Sequence, residues 1–205
     1  MKKLISAILI FLLCLGIYSC SKNDAASTAT TATTDNSTQS VFIYPLSYSS
    51  QYDGNDAGDI APNYCYGTNS SGYTEAPFYS TSKHDLKDRL PSSKWSYPVY
   101  SRQGHKISTS WENLWDGNID MSLHLAEVIA DNYTNSYAAS GGTGFWSGTK
   151  SDGTFSGDNC RDWSSASSTD NGTWGSFLTK ENSTWTDNGT YACNTSKYLL
   201  CFMYN

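Results

Sequence analysis

Apolar residues crowd the two ends of this chain and are thinly spread between them. Behind Met1-Lys2-Lys3, Leu4 to Leu15 form one short apolar run, the basic n-region and h-region of a secretory signal, too short to span a bilayer comfortably. Ser21 to Ser40 are rich in Ala, Ser and Thr with no apolar period, which predicts a disordered tether. Val41-Phe42-Ile43-Tyr44 reads as the first strand, ended by Pro45. Tyr198 to Met203 reads as the last, with Leu199-Leu200-Cys201-Phe202 inside it.

Between these strands the pattern is weaker. Asp53-Gly54-Asn55-Asp56-Ala57-Gly58-Asp59 is a turn cluster, and Ala61-Pro62-Asn63-Tyr64-Cys65 opens a short helix with Pro62 in its first turn. A second helix is expected from Ser110 to about Ile129. Ser110 suits its N-cap, and Leu114, Met121, Leu125 and Val128 fall near one face, while Gly117-Asn118 would break it. Gly144 to Thr149 reads as a strand that turns at Asp152-Gly153 and returns through Thr154-Phe155. Large aromatics among Asn-Gly and Ser/Thr turns fill the remainder, so the fold class is α+β, with short strands, two helices and long loops.

A chain of 205 residues accommodates one domain of ordinary size with a leader and linker. Seven Trp and 15 Tyr beside only 16% charged residues make the composition that of an extracellular, turn-rich domain. The formal charge of −6 becomes two units more negative once Lys2 and Lys3 leave with the leader. That balance argues against nucleic acid, heparin or anionic lipid as a main partner.

Ile17-Tyr18-Ser19-Cys20 resembles a bacterial lipobox, with Tyr18 departing from the usual small residue in a way associated with spirochaetal lipoproteins. The resemblance implies cleavage before Cys20 and its acylation, palmitate included, at the bacterial outer membrane. More than one acyl chain, at about 0.8 kcal/mol per buried methylene, would make the anchor stable rather than reversible. The expected organisation is a signal peptide over 1–19, lipidated Cys20 with its tether over 20–40, and one domain over 41–205.

Four cysteines remain: Cys65, Cys160, Cys193 and Cys201. An even number in an exported chain favours two disulfides over a metal, and no CxxC spacing supports zinc. Three pairings are possible. Joining Cys193 to Cys201 would force a tight local loop across the last strand. A nested order, Cys65 with Cys201 and Cys160 with Cys193, ties the start of the domain to its end, and such closures contribute up to roughly 5 and 3.7 kcal/mol by loop entropy.

The nested order, Phe145-Trp146-Ser147-Gly148, Cys160-Arg161-Asp162-Trp163 and the Cys193 to Cys201 spacing resemble the C-type lectin-like fold. More closely, Val41 to Asn205 is similar to the leptospiral endostatin-like surface lipoproteins, through Tyr52-Asp53-Gly54-Asn55, Trp111-Glu112-Asn113-Leu114-Trp115-Asp116-Gly117, Trp146-Ser147-Gly148, Asn159-Cys160 and Asp162-Trp163. The resemblance implies surface display and non-enzymatic binding of host partners: extracellular matrix, plasminogen or a complement regulator such as factor H. It carries no contact residues with it. Other readings are a calcium-independent glycan-binding module, or an envelope lipoprotein with a structural or antigenic role.

Candidate chemistry is sparse. A calcium-dependent lectin would need a Glu-Pro-Asn or Gln-Pro-Asp tripeptide and a Trp-Asn-Asp. Here Trp185-Thr186-Asp187-Asn188 has Thr186 at the asparagine ligand, and half a site is a poor one. Asp53, Asn55, Asp56 and Asp59 fail the EF-hand pattern at Ala57 and Tyr64 and read as a solvated turn. His84, His105 and His124 are scattered, and no Gly-x-Ser-x-Gly elbow occurs. Sequons at Asn132, Asn171 and Asn182 reflect composition more than glycosylation. The expectation is no enzyme, cofactor or metal. Most tryptophans should be core, and Trp174, in the Asp170-Asn171-Gly172-Thr173 loop, is the expected exposed binding residue.

Overall fold

The strand Val41–Pro45 (β1) is covered on both faces, and its neighbours share that property. Alternate residues of a strand point to opposite faces. Val41 and Ile43 accordingly enter one core with Leu200 and Phe202, while Tyr44 enters a second with Leu199 and Cys201. This is why the last apolar run shows no polar alternation. The computed structural model describes residues 39–47, 52–65, 72–129 and 144–205. The segments expected to be signal peptide and, for the most part, tether, with Cys20 and Asn132, lie outside the described residues.

In chain order the elements are β1, α1 (Asp56–Cys65), β2 (Thr74–Pro77), β3 (Val99–Ser101), β4 (Lys106–Ser108), β5 (Gly144–Trp146), α2 (Cys160–Trp163), β6 (Asn171–Ser176), β7 (Thr190–Ala192) and β8 (Leu200–Tyr204), with short 3₁₀ turns between β2 and β5. One sheet has the order β2-β8-β1-β3-β4 and a smaller one β5-β6-β7. In the larger sheet β1 runs parallel to β3 and antiparallel to β8, pairing Val41 with both Val99 and Tyr204. The fold is therefore mixed α+β with two helices, short strands and two disulfides.

Both disulfides follow the nested order: Cys65 to Cys201 and Cys160 to Cys193. The first fastens the end of α1 to β8. The second fastens α2 to the residue that follows β7.

Helix α1 starts five residues earlier than expected, inside the acidic turn cluster. Asp53 Oδ1 accepts from the N–H groups of Asn55 and Asp56 at 2.9 and 3.0 Å, which satisfies donors that a helix start leaves open. Ala57, Ala61 and Cys65, spaced by four, form its buried face. Pro62 consequently lies inside the helix.

The helix expected over 110–129 is not formed. Ser110 does cap, its hydroxyl accepting from Asn113 N–H at 3.1 Å, but only the 3₁₀ turn Glu112–Asp116 follows and Gly117 ends it at φ +98°. Beyond it the backbone donors go to distant partners: Ile119 to Lys180 O, Asp120 to Ile107 O and His124 to Phe177 O. Leu125, assigned to the buried face, is 65% exposed.

Helix α2 is a left-handed turn. Cys160, Arg161, Asp162 and Trp163 all have φ between +55° and +61°, and Trp163 N–H and Ser164 N–H reach back to the carbonyls of Asn159 and Cys160. Left-handed helix costs about 1–2 kcal/mol per residue in an L-chain. The surroundings hold it there: the disulfide at Cys160, the buried Trp163 indole donating to Ser80 O at 2.9 Å, and the Asn159 cap on Asp162 N–H.

Candidate binding face around Trp174

Trp174 lies in β6, not in a loop, and it is half-buried. The Asp170–Thr173 segment that looked like a turn is the entry to that strand, because Asn171, Gly172 and Thr173 pair with Ala192, Tyr191 and Thr190 of β7. On the other side Trp174 pairs with Trp146 of β5. Gly144 and Gly172 give the room that two neighbouring indoles need, since a Cβ on Gly144 would meet the Trp174 ring and one on Gly172 the Trp146 ring.

Tyr191 of β7, 39% exposed, packs edge-on against Trp174 with ring centroids 5.6 Å apart. Under this pair sits Lys197, fully buried. Its Nζ is 4.2 Å from the centroids of both Trp174 and Tyr191 and 5.7 Å from that of Trp146. Three ring faces around one ammonium form an aromatic cage, in which each desolvated cation–π contact is worth about 2 kcal/mol. Burial lowers the Lys197 pKa from 10.5 to about 8.

The backbone of Lys197 is fixed by reciprocal hydrogen bonds with Tyr52, 2.8 and 2.9 Å long. Tyr52 O also accepts from the Trp146 indole at 2.9 Å. The cage floor is therefore locked to the start of the domain, while its rim is Trp174 and Tyr191.

The β6-β7 pair bearing this rim is stapled by a disulfide. The Cys160–Cys193 disulfide joins α2 to the end of β7, and Arg161 Nε meets Asp170 at 2.9 Å just before β6. Beside the rim, the Asp187-Asn188-Gly189 turn hands β6 to β7: Trp174 N–H donates to Gly189 O at 3.2 Å and Asn188 N–H to Trp174 O at 2.8 Å. Burial raises the Asp187 pKa, against the Gly189 N–H and Lys150.

The remaining candidates are not brought together. His84 closes the Thr81–His84 turn, His105 faces Glu127 at 3.5 Å, and His124 lies after the third 3₁₀ turn. Among the described residues no three His, Cys, Asp or Glu side chains are placed to hold a metal ion. Four tryptophans, Trp111, Trp146, Trp163 and Trp185, are buried, whereas Trp95, Trp115 and Trp174 are half-buried. Sequence reasoning missed Tyr191 and Lys197. Lys197 follows Asn194-Thr195-Ser196 and reads as solvated, and its only signal is its place directly ahead of the last apolar run.

No family model matches the chain, and no curated protein matches it.

Proposed function

We propose that this chain is a bacterial lipoprotein, anchored in the outer membrane through Cys20 and exposed at the cell surface, whose C-type lectin-like, endostatin-like domain binds host proteins without catalysis. The observation that carries the reading is the Trp174–Tyr191 pair: two large aromatics at the rim of a cage, on a strand pair stapled by the Cys160–Cys193 disulfide. Trp and Tyr dominate binding hot spots because they offer large amphipathic area at low entropic cost. A rigid backing cuts the ordering cost further. The lipobox-like Ile17-Tyr18-Ser19-Cys20 and the motifs shared with leptospiral surface lipoproteins support matrix proteins, plasminogen or a complement regulator as the partner class.

The test is binding of the mature chain to immobilised fibronectin, laminin, plasminogen and factor H, beside a glycan array with and without calcium. Retention on at least one protein, weakened about tenfold or more by Trp174→Ala as expected for a hot spot, is the expected result. A signal confined to glycans in calcium would overturn it. Protease accessibility on intact cells tests display, and full protection would sink it. A second reading, calcium-independent glycan binding, is favoured by the same rim, because exposed aromatic faces also stack on sugar rings. Its signature is a glycan signal unchanged by calcium and lost in Trp174→Ala.

A further inference from the structure

The pentapeptide Thr-Asp-Asn-Gly-Thr occurs twice, as Thr169–Thr173 and as Thr186–Thr190, and the fold treats the two copies differently. In the first copy, Gly172 is buried inside β6, paired with Tyr191 on one side and bridged to Asn159 on the other. A Cβ there would touch Cys160 Sγ and the Trp146 ring. Its aspartate, Asp170, is turned to the Ser165 hydroxyl and to Arg161. In the second copy, Gly189 is exposed at φ +92° with open space around its α-carbon. Its aspartate, Asp187, receives the Gly189 N–H.

We propose that Asn188 is a site of spontaneous deamidation through a succinimide, with Asp187 as the general base, and that Asn171 is not. The Gly189 nitrogen must lose its proton and reach the side-chain carbonyl carbon of Asn188, and glycine adds no side chain to obstruct it. A base within hydrogen-bond reach of the proton it removes is the geometric requirement for such catalysis. The Asp187 carboxylate takes the proton from Gly189 N, the N–Cγ bond forms, and the Cγ–Nδ2 bond of Asn188 breaks. Ammonia departs with the proton that Asp187 returns. Solvent water then adds to either carbonyl of the ring, giving aspartate or isoaspartate at 188.

Burial makes Asp187 more basic than an ordinary carboxylate, which suits the role. The reaction would not be silent at the binding face. Asn188 and Gly189 hold the backbone of Trp174, so the isoaspartyl form inserts a methylene beside it, and either product adds a negative charge next to Asp187. This site stands on the geometry of the turn and does not depend on the identity of any ligand.

The test ages the full mature chain, disulfides intact, in neutral buffer at body temperature and follows both peptides by mass spectrometry. Hydroxylamine cleavage marks the succinimide. In the native protein conversion at Asn188 should exceed that at Asn171 by about tenfold or more, and Asp187→Asn should slow it by about as much. In guanidinium with the disulfides reduced, the two copies should react at similar rates and Asp187→Asn should have little effect. Native conversion at Asn171 equal to or faster than at Asn188 would overturn the proposal, as would a native rate unmoved by Asp187→Asn. Should that variant fail to fold, the ratio of the two sites in the native and the denatured wild type decides by itself.

Discussion

The Lys197 ammonium stands 4.2 Å from the centroid of the Trp174 ring, so the half-buried indole on the proposed binding face is backed by a buried charge. A lysine is almost never fully buried without compensation. The rings of Trp146, Trp174 and Tyr191 supply part of it here.

The burial of Lys197 has a pH signature. The folded Lys197 pKa of about 8 lies below its ordinary 10.5. Between those values the unfolded chain binds more protons than the native one, so stability rises with pH across the window. Lys197→Met keeps the apolar stem and every tyrosine but removes the titration. Urea unfolding of both proteins from pH 7 to 10.5 should show wild type gaining on the variant as pH rises, and a constant difference would refute the effect of burial on the lysine.

Reduction of the two disulfides should be felt unequally. The closure from Cys65 to Cys201 spans 136 residues and that from Cys160 to Cys193 spans 33, so loop entropy favours the first by about 1.3 kcal/mol. Replacing Cys65 and Cys201 by alanine should lower stability in urea by about 2–5 kcal/mol. Replacing Cys160 and Cys193 should cost less overall and weaken binding through Trp174, because that bridge holds α2 against the end of β7. Equal binding by both variants would argue against a stapled binding face.

Asp162 is the latch of the left-handed turn. Its carboxylate accepts from Ser82 N–H at 2.6 Å, from the Ser82 hydroxyl, and from Asn159 Nδ2 at 2.7 Å. Burial alone would raise its pKa, but the Ser82 and Asn159 hydrogen bonds and the nearby Lys83 outweigh that and lower it. A depressed folded pKa means stability that is present above the ordinary carboxylate value and lost as pH falls through the folded one. Asp162→Asn should therefore cost about 1 kcal/mol at neutral pH and flatten the acid limb of the stability profile. An unchanged acid limb would show that the latch lies elsewhere.

How much of this was legible in the sequence depended on whether the signal was local. The end strands were readable because Val41–Tyr44 and Leu199–Phe202 are continuous apolar runs, and the nested disulfides because few pairings suit them. The segment after Ser110 misled because its apolar spacing is compatible with a helix, while its backbone donors are taken by Ile107, Phe177 and Lys180, partners no local window contains. Asn171-Gly172 read as a loop for the same reason: β7, nearly twenty residues on, makes it a strand. At the proposed binding face Trp174 stood out as a tryptophan among turn residues. Tyr191 and Lys197 did not, since a cage is a property of three strands meeting.

Gly58 is the position where local propensity and tertiary packing disagree most. It lies inside α1, where alanine is favoured over glycine by about 1 kcal/mol. Yet a Cβ there would collide with the Trp163 carbonyl and crowd the Trp163 side chain, and neither can retreat, because α2 is tied by its disulfide and the Trp163 indole is bonded to Ser80 O. Gly58→Ala should therefore destabilise the domain by more than about 2 kcal/mol, as overpacking against backbone does, despite its better helix propensity. Alanine at the exposed position Asp59 in the same helix gives the control, with a change expected within about 1 kcal/mol. Thermal unfolding of both variants checks the contrast, and a Gly58→Ala protein as stable as wild type would mean that α1 and α2 do not approach as closely as the structure places them.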